Sequence, residues 1–169
     1  ITSFVQMFFV CCLLSCIIKY GKVTQFSDIT VLMTFYCCFT IATITQCFLI
    51  SVFFNKANLA AVVAGIIYYL FYLPYTVMVN YSDVLLPWHK LLASLSSTVA
   101  FGYGFELVAT FELQNIGVQW SNFYSSPYAM RNSFSMSTIC LIMLFDAVVY
   151  MFLAFYIETV WPGEYGIAR

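Results

Sequence analysis

Residues 31–54 read VLMTFYCCFTIATITQCFLISVFF, and residues 57–79 read ANLAAVVAGIIYYLFYLPYTVMV. Lys56 is the single charged side chain between Asp28 and Asp83. A helix of about 20 apolar residues crosses roughly 30 Å of hydrocarbon, so each run predicts a membrane span. The link between them, Asn55-Lys56-Ala57-Asn58, is short enough to force an antiparallel hairpin.

Working outward, residues 1–18 carry no charge before Lys19 and Lys22. Residues 134–157 are apolar except for Asp146. Four spans follow, about 1–18, 31–54, 57–79 and 134–157, which puts residues 1 and 169 on the same side of the membrane. The opening run has no basic region before it and no small-residue cleavage site after it, so it reads as a span rather than a signal peptide. The chain is expected to be an internal piece of a longer polypeptide.

Composition agrees. Hydrophobic residues make up 63% and charged residues 8%, against about 25% charged in a soluble domain. So few charges cannot cover a water-facing surface. Six basic and seven acidic side chains nearly cancel, leaving no field to attract nucleic acid. The fold class expected is all-α: a polytopic membrane helical bundle.

Residues 84–113 break the pattern of long spans. Trp88, Leu91, Leu92 and Leu95 share one helical face, and Phe101, Phe105 and Val108 make a second stripe. Each piece is too short to span alone. Two short helices, broken near Ser96-Ser97-Thr98, predict a helical hairpin that dips into the membrane from one side. Residues 114–133, rich in Asn, Ser, Gln and Tyr with Pro127, read as a polar surface loop.

The spans carry three features. Ala57, Ala61 and Gly65 recur every four residues, a spacing that lets helix backbones approach closely in lipid. Thr40, Thr43 and Gln46, with Tyr36 and Cys47, place polar groups on the second span, where they form interhelical contacts or line a substrate path. Asp146 lies inside the fourth span, where a carboxyl group is costly and marks either a functional site or a tie between helices. Crowded tyrosines (Tyr68, Tyr69, Tyr72, Tyr75) beside Pro74 suggest an interfacial belt with a kink.

Catalytic signatures are lacking. There is no phosphate-cradling G-x-x-x-x-G-K-[ST], no G-x-S-x-G and no H-E-x-x-H. The seven cysteines include no C-x-x-C pair, and the single histidine, His89, lies far from them, so they read as free thiols in lipid. No catalytic, cofactor-binding or metal-binding residue is assigned. Residues 98–104 (TVAFGYG) are similar to a potassium-channel filter, but Ala100-Phe101 interrupts the run of carbonyls that such a filter needs.

Several stretches resemble one family, the membrane domain of the A subfamily of ABC transporters, which export lipids. The matching residues are Gln46-Cys47-Phe48-Leu49-Ile50-Ser51, Ala57-Asn58-Leu59-Ala60-Ala61, Ile66-Ile67-Tyr68 and Tyr72-Leu73-Pro74-Tyr75. They continue with Ala93-Ser94-Leu95, Val99-Ala100-Phe101-Gly102, Gly117-Val118-Gln119-Trp120, Leu144-Phe145-Asp146 and Pro162-Gly163-Glu164-Tyr165-Gly166-Ile167. The resemblance implies the third to sixth helix of one transmembrane half, with 84–113 as an exofacial hairpin. Thr98 stands where the family often has Pro, and Leu113 and Asn115 where it often has an acid and Gly.

The resemblance further implies part of an ATP-driven phospholipid or sterol transporter in the plasma membrane or an intracellular vesicle membrane. ATP and magnesium would be cofactors of the full-length protein only, and this piece would not itself be an enzyme. Its partners would be membrane lipids, the remaining helices and the nucleotide-binding domains of the same polypeptide, with no nucleic acid. Lys56 and Arg169 would be cytosolic and Lys19, Lys22, Lys90 and Arg131 exofacial, against the positive-inside count. Asn80-Tyr81-Ser82 would be an exofacial glycosylation sequon at Asn80. A channel-like pore or a purely structural bundle are the alternative functions.

Overall fold

A computed structural model describes residues 2–54, 57–80, 88, 92–126 and 134–160. The expected hairpin link at Asn55-Lys56, most of the hairpin's first helix, and His89, Lys90, Arg131 and Arg169 lie outside the described residues, as do the side chains of Ala57 and Asn80.

Five helices are described: α1 Thr2–Tyr20, α2 Ile29–Val52, α3 Ala57–Asn80, α4 Ser97–Leu113 and α5 Met136–Val160. No strand occurs among the described residues. Four of the helices (α1, α2, α3 and α5) are long and apolar enough to cross a membrane. They cover the four charge-poor runs. Helix is the solution the bilayer imposes, because every backbone N–H and C=O must be paired within the segment.

The core forms around α2, which packs chiefly on α5 and also on α1, α3 and α4. Val31, Leu32 and Phe35 of α2 meet Met136, Ile139 and Met143 of α5, all essentially inaccessible. Helix α4 lies against α5, α3 and α2. Its Phe101 ring stacks on Phe35 at 5.2 Å and on Phe39 at 4.1 Å between centroids.

Two glycines permit this approach. A methyl group at Gly104 would collide with the Phe35 ring, and one at Gly102 would come within 2.8 Å of the Tyr75 ring of α3. The TVAFGYG stretch is therefore a helical packing surface. Its carbonyls belong to a helix and cannot line up as a filter.

Several local expectations change. The expected stripe divides: Phe105 is 42% exposed, while the buried face of α4 runs through Val99, Ala100, Tyr103, Leu107, Val108 and Phe111. Trp88, Leu92 and Leu95 are exposed in this chain, so their shared face is not a core face here. The 114–126 segment is not simply a surface loop, since Val118 and Phe123 are buried in the core.

The end of α4 also explains the departure at Asn115. Its φ of 56° is left-handed, a conformation Asn tolerates after Gly. The amides of Ile116 and Gly117 then return to Phe111 O at 3.2 and 3.0 Å, closing the helix.

Candidate functional site

Two polar ties fix α4 along α2, and they define the candidate site. The inner tie starts at the break before α4. Leu95 N donates to Leu92 O at 3.3 Å and Ser96 N to Ala93 O at 3.2 Å, so the chain turns before entering the helix. Ser97 Oγ then donates to Gln46 Oε1 at 2.9 Å. Gln46 lies in the second half of α2, roughly 25 Å along the axis from Ile29. The start of α4 is thus buried deep within the bundle.

The fourth span joins the same place. Tyr150 OH donates to Leu95 O at 3.1 Å and interacts with Ser97. Asp146 stands one turn earlier on α5, within electrostatic reach of Tyr150. Gln46 is 1% exposed and Asp146 2%. Gln46 Nε2 and Asp146 Oδ2 have no hydrogen-bond partner. Gln46 thus keeps an unpartnered buried donor beside the first turn of α4, and Asp146 an unpartnered buried acceptor on α5.

Of the polar residues singled out in the spans, Gln46 reaches the start of α4 through Ser97. Thr40 does not: its Oγ1 lies 2.9 Å from Cys11 Sγ of α1. Thr43 turns to α3, accepting the Tyr68 hydroxyl at its carbonyl at 3.5 Å, while its own Oγ1 is unpartnered. The α2 polar residues therefore point to three neighbours rather than to one path. Ala61 and Gly65 sit on an exposed face of α3, and a Cβ at Gly65 would meet nothing within 4 Å. Within the described residues, rings of Tyr75 and Phe35 rest on α4 at Gly102 and Gly104, and the backbone of Phe26 and Ser27 lies against Gly117.

The outer tie was not legible in the sequence. The carboxylate of Glu112, in the last turn of α4, accepts Ser27 N at 2.8 Å, Ser27 Oγ at 2.6 Å and Phe26 N at 3.2 Å. Ser27 Oγ also accepts Val118 N at 2.9 Å, and Val118 O accepts Asp28 N at 2.8 Å. Lys19 Nζ donates to Gln25 O and Ser27 O at 3.0 and 2.6 Å, holding the same turn from α1. The partners are about 85 residues apart along the chain, and no local pattern announces them.

Chemically, the inner site offers hydrogen-bond donors and acceptors in an apolar surround. Among the described residues, no group of three His, Cys, Asp or Glu side chains could hold a metal ion. All seven cysteines are free thiols.

No family model matches the chain. It is 43% identical over 164 residues, 97% of its length, to the retinal-specific phospholipid-transporting ATPase ABCA4 of Bos taurus. It is 39% identical over 173 residues, 100% of its length, to ATP-binding cassette sub-family A member 2 of Homo sapiens. It is 41% identical over 155 residues, 92% of its length, to the phospholipid-transporting ATPase ABCA7 of Homo sapiens. The chain spans 7% of the length of each of these relatives. It is homologous, nearly end to end, to one segment of the A subfamily of ATP-binding cassette transporters.

Proposed function

We propose that the chain is part of one transmembrane half of an ATP-driven transporter that moves phospholipid or sterol. The observation that carries this reading is the near end-to-end similarity to relatives named as phospholipid-transporting ATPases. On this reading the four long helices are the third to sixth of that half, and α4 is the returning arm of an exofacial re-entrant hairpin. ATP and magnesium act at nucleotide-binding domains elsewhere in the polypeptide. The free face of α3, with Ala61 and Gly65, meets helices of the remaining membrane domain. Membrane lipids are the other partners, in the plasma membrane or a vesicle membrane, and Asn80 is an exofacial glycosylation site.

The role of Gln46 and Asp146 is to position the hairpin tip. The Ser97–Gln46 bond supports that role for Gln46, and for Asp146 the support is its burial one turn before Tyr150, whose hydroxyl holds Leu95 O. A channel pore is disfavoured by the helical form of residues 97–113.

The test is reconstitution of the full-length polypeptide carrying this segment into liposomes with a fluorescent phospholipid. We expect ATP-dependent movement of the lipid between leaflets and lipid-stimulated ATP hydrolysis. Ion conductance across a planar bilayer, without ATP-dependent lipid movement, would refute the assignment.

A further inference from the structure

A groove of about 390 Å³ lies at the end of the bundle where α1 turns into α2. Residues 22–26 form one wall and Phe105, Val108, Ala109, Glu112 and Leu113 of α4 the other, the Glu112 carboxylate being engaged by Phe26 N, Ser27 N and Ser27 Oγ. Phe26, Phe105 and Leu113 are exposed, so apolar surface continues from the groove onto the outside of the bundle. Among the described residues nothing covers it.

Lys22 stands at the rim. Its backbone is left-handed, with φ 57°, a conformation unfavourable for a lysine and ordinary for Gly or Asn. A strained residue in a ligand-sized groove is a reason to ask what its side chain serves. Among the described residues no hydrogen bond or ion pair engages its ammonium. Lys19, by contrast, is committed to two carbonyls of the same turn. Thr24, also lining the groove, is 3% exposed and its hydroxyl has no partner.

The level of the groove matters as much as its chemistry. It sits between the last turn of α1 and the first turn of α2, where a span passes from hydrocarbon to headgroups. A free cation beside exposed aromatic and aliphatic side chains matches that boundary. The wall is fixed rather than adaptable, because Glu112 and Lys19 pin residues 25–27 to α4 and α1.

We propose that this groove is a binding site for a single membrane phospholipid, with its phosphate held by Lys22 and beside Thr24 and one acyl chain lying along Phe105, Val108 and Leu113. The occupant is a phospholipid rather than free phosphate because most of the lining is apolar. The inference rests on the transporter reading for its membrane setting, yet it assigns a site at the bundle's end, apart from the tip at Gln46 and Asp146.

The experiment uses the full-length polypeptide in nanodiscs containing a phosphatidylcholine with a photoactivatable acyl chain. Cross-linked peptides are mapped by mass spectrometry. In the unaltered protein we expect adducts on 105–113, and inorganic phosphate should not compete with them. Lys22→Asn suits the left-handed backbone, so the turn survives while the charge goes. It should reduce those adducts about fivefold, the factor expected for one lysine–phosphate contact at a membrane surface. Ala109→Trp, which fills the groove, should abolish them. Adducts on the outward residues Phe152 and Phe155 of α5 should persist in every variant. Equal labelling of 105–113 with and without Lys22, or competition by inorganic phosphate, would overturn the site. Lipid-stimulated ATP hydrolysis by the unaltered protein, measured alongside, reports on the transporter reading separately.

Discussion

Replacing Glu112 tests whether the outer tie holds α4 in place, because two effects there oppose each other. A carboxylate in the last turn of a helix faces the negative end of the macrodipole, a penalty of about 0.3–1 kcal/mol. Against it stand three donors, Ser27 N, Ser27 Oγ and Phe26 N, at 2.8, 2.6 and 3.2 Å. Hydrogen bonds to a charged group contribute about 1.5–3 kcal/mol, and those sharing one carboxylate are not additive. Ser27 is fully buried, so deleting its acceptor orphans an amide at about 1–3 kcal/mol. The tie wins. Glu112→Ala should therefore destabilise by about 2–4 kcal/mol, and Glu112→Gln, which keeps one acceptor oxygen, by about 1 kcal/mol.

The assay is thermal melting of the full-length polypeptide in detergent, followed by gel filtration, with limited proteolysis across residues 21–28. The order of melting should be unaltered protein, then Gln, then Ala, with cleavage rising in the same order. Ser27→Ala on top of Glu112→Ala should add less than its single effect, since both remove the same bond. An unchanged or raised melting temperature for Glu112→Ala would show that the dipole term dominates and the turn is not held by the carboxylate.

Three further outcomes follow from the same geometry. Gly104→Ala should destabilise by about 1–3 kcal/mol through overpacking against Phe35, and Phe35→Leu should partly restore it; equal stability of Gly104→Ala and the unaltered protein would place that face away from α2. Asp146→Asn, close in shape, should keep surface level and lipid-stimulated ATP hydrolysis, and normal surface level with transport lost would make the carboxyl part of the mechanism. Single cysteines at Ser121 or Ser125, in a background lacking the native ones, should react with an impermeant thiol reagent on intact cells while one at Asn55 should not; the opposite pattern would invert the topology.

The spans were readable because the bilayer writes them as charge-free length, which needs no knowledge of neighbours. The start of α4 was readable for the same local reason: Ser and Thr at 96–98 interrupt the apolar run, and α4 starts at Ser97. Which face of a helix packs was not readable. In lipid the solvent is as apolar as the core, so periodicity of hydrophobicity does not separate inside from outside. That is why Phe105 and Val108, on one apolar stripe, can lie one exposed and the other buried. It is also why the close ring contacts at Gly102 and Gly104 have no counterpart in the hydrophobic pattern. Glu112 illustrates a second limit, since its donors come from a turn some 85 residues away.

The two polar ties account for how a helix break can sit inside a bilayer. Irregular backbone at membrane depth is tolerated where protein surrounds it, and Ser94 and Ser97 at the tip are 1% and 0% exposed. Apolar burial gives no drive for α4 to stay there, because lipid tails would serve its side chains as well. What distinguishes the bound position is directional. Ser97 reaches Gln46 at the inner end, and Glu112 receives Ser27 at the outer end. Both partners belong to α2 or the turn leading into it, at separations that match an antiparallel helix of 17 residues, about 25 Å long. Between them the glycines let the Phe35 and Tyr75 rings rest on the backbone of α4. Close packing without the end bonds would allow sliding by a turn, and the end bonds without the glycines would hold the helix too far out. Each set fixes what the other leaves free, so register and depth of the hairpin arm are determined together.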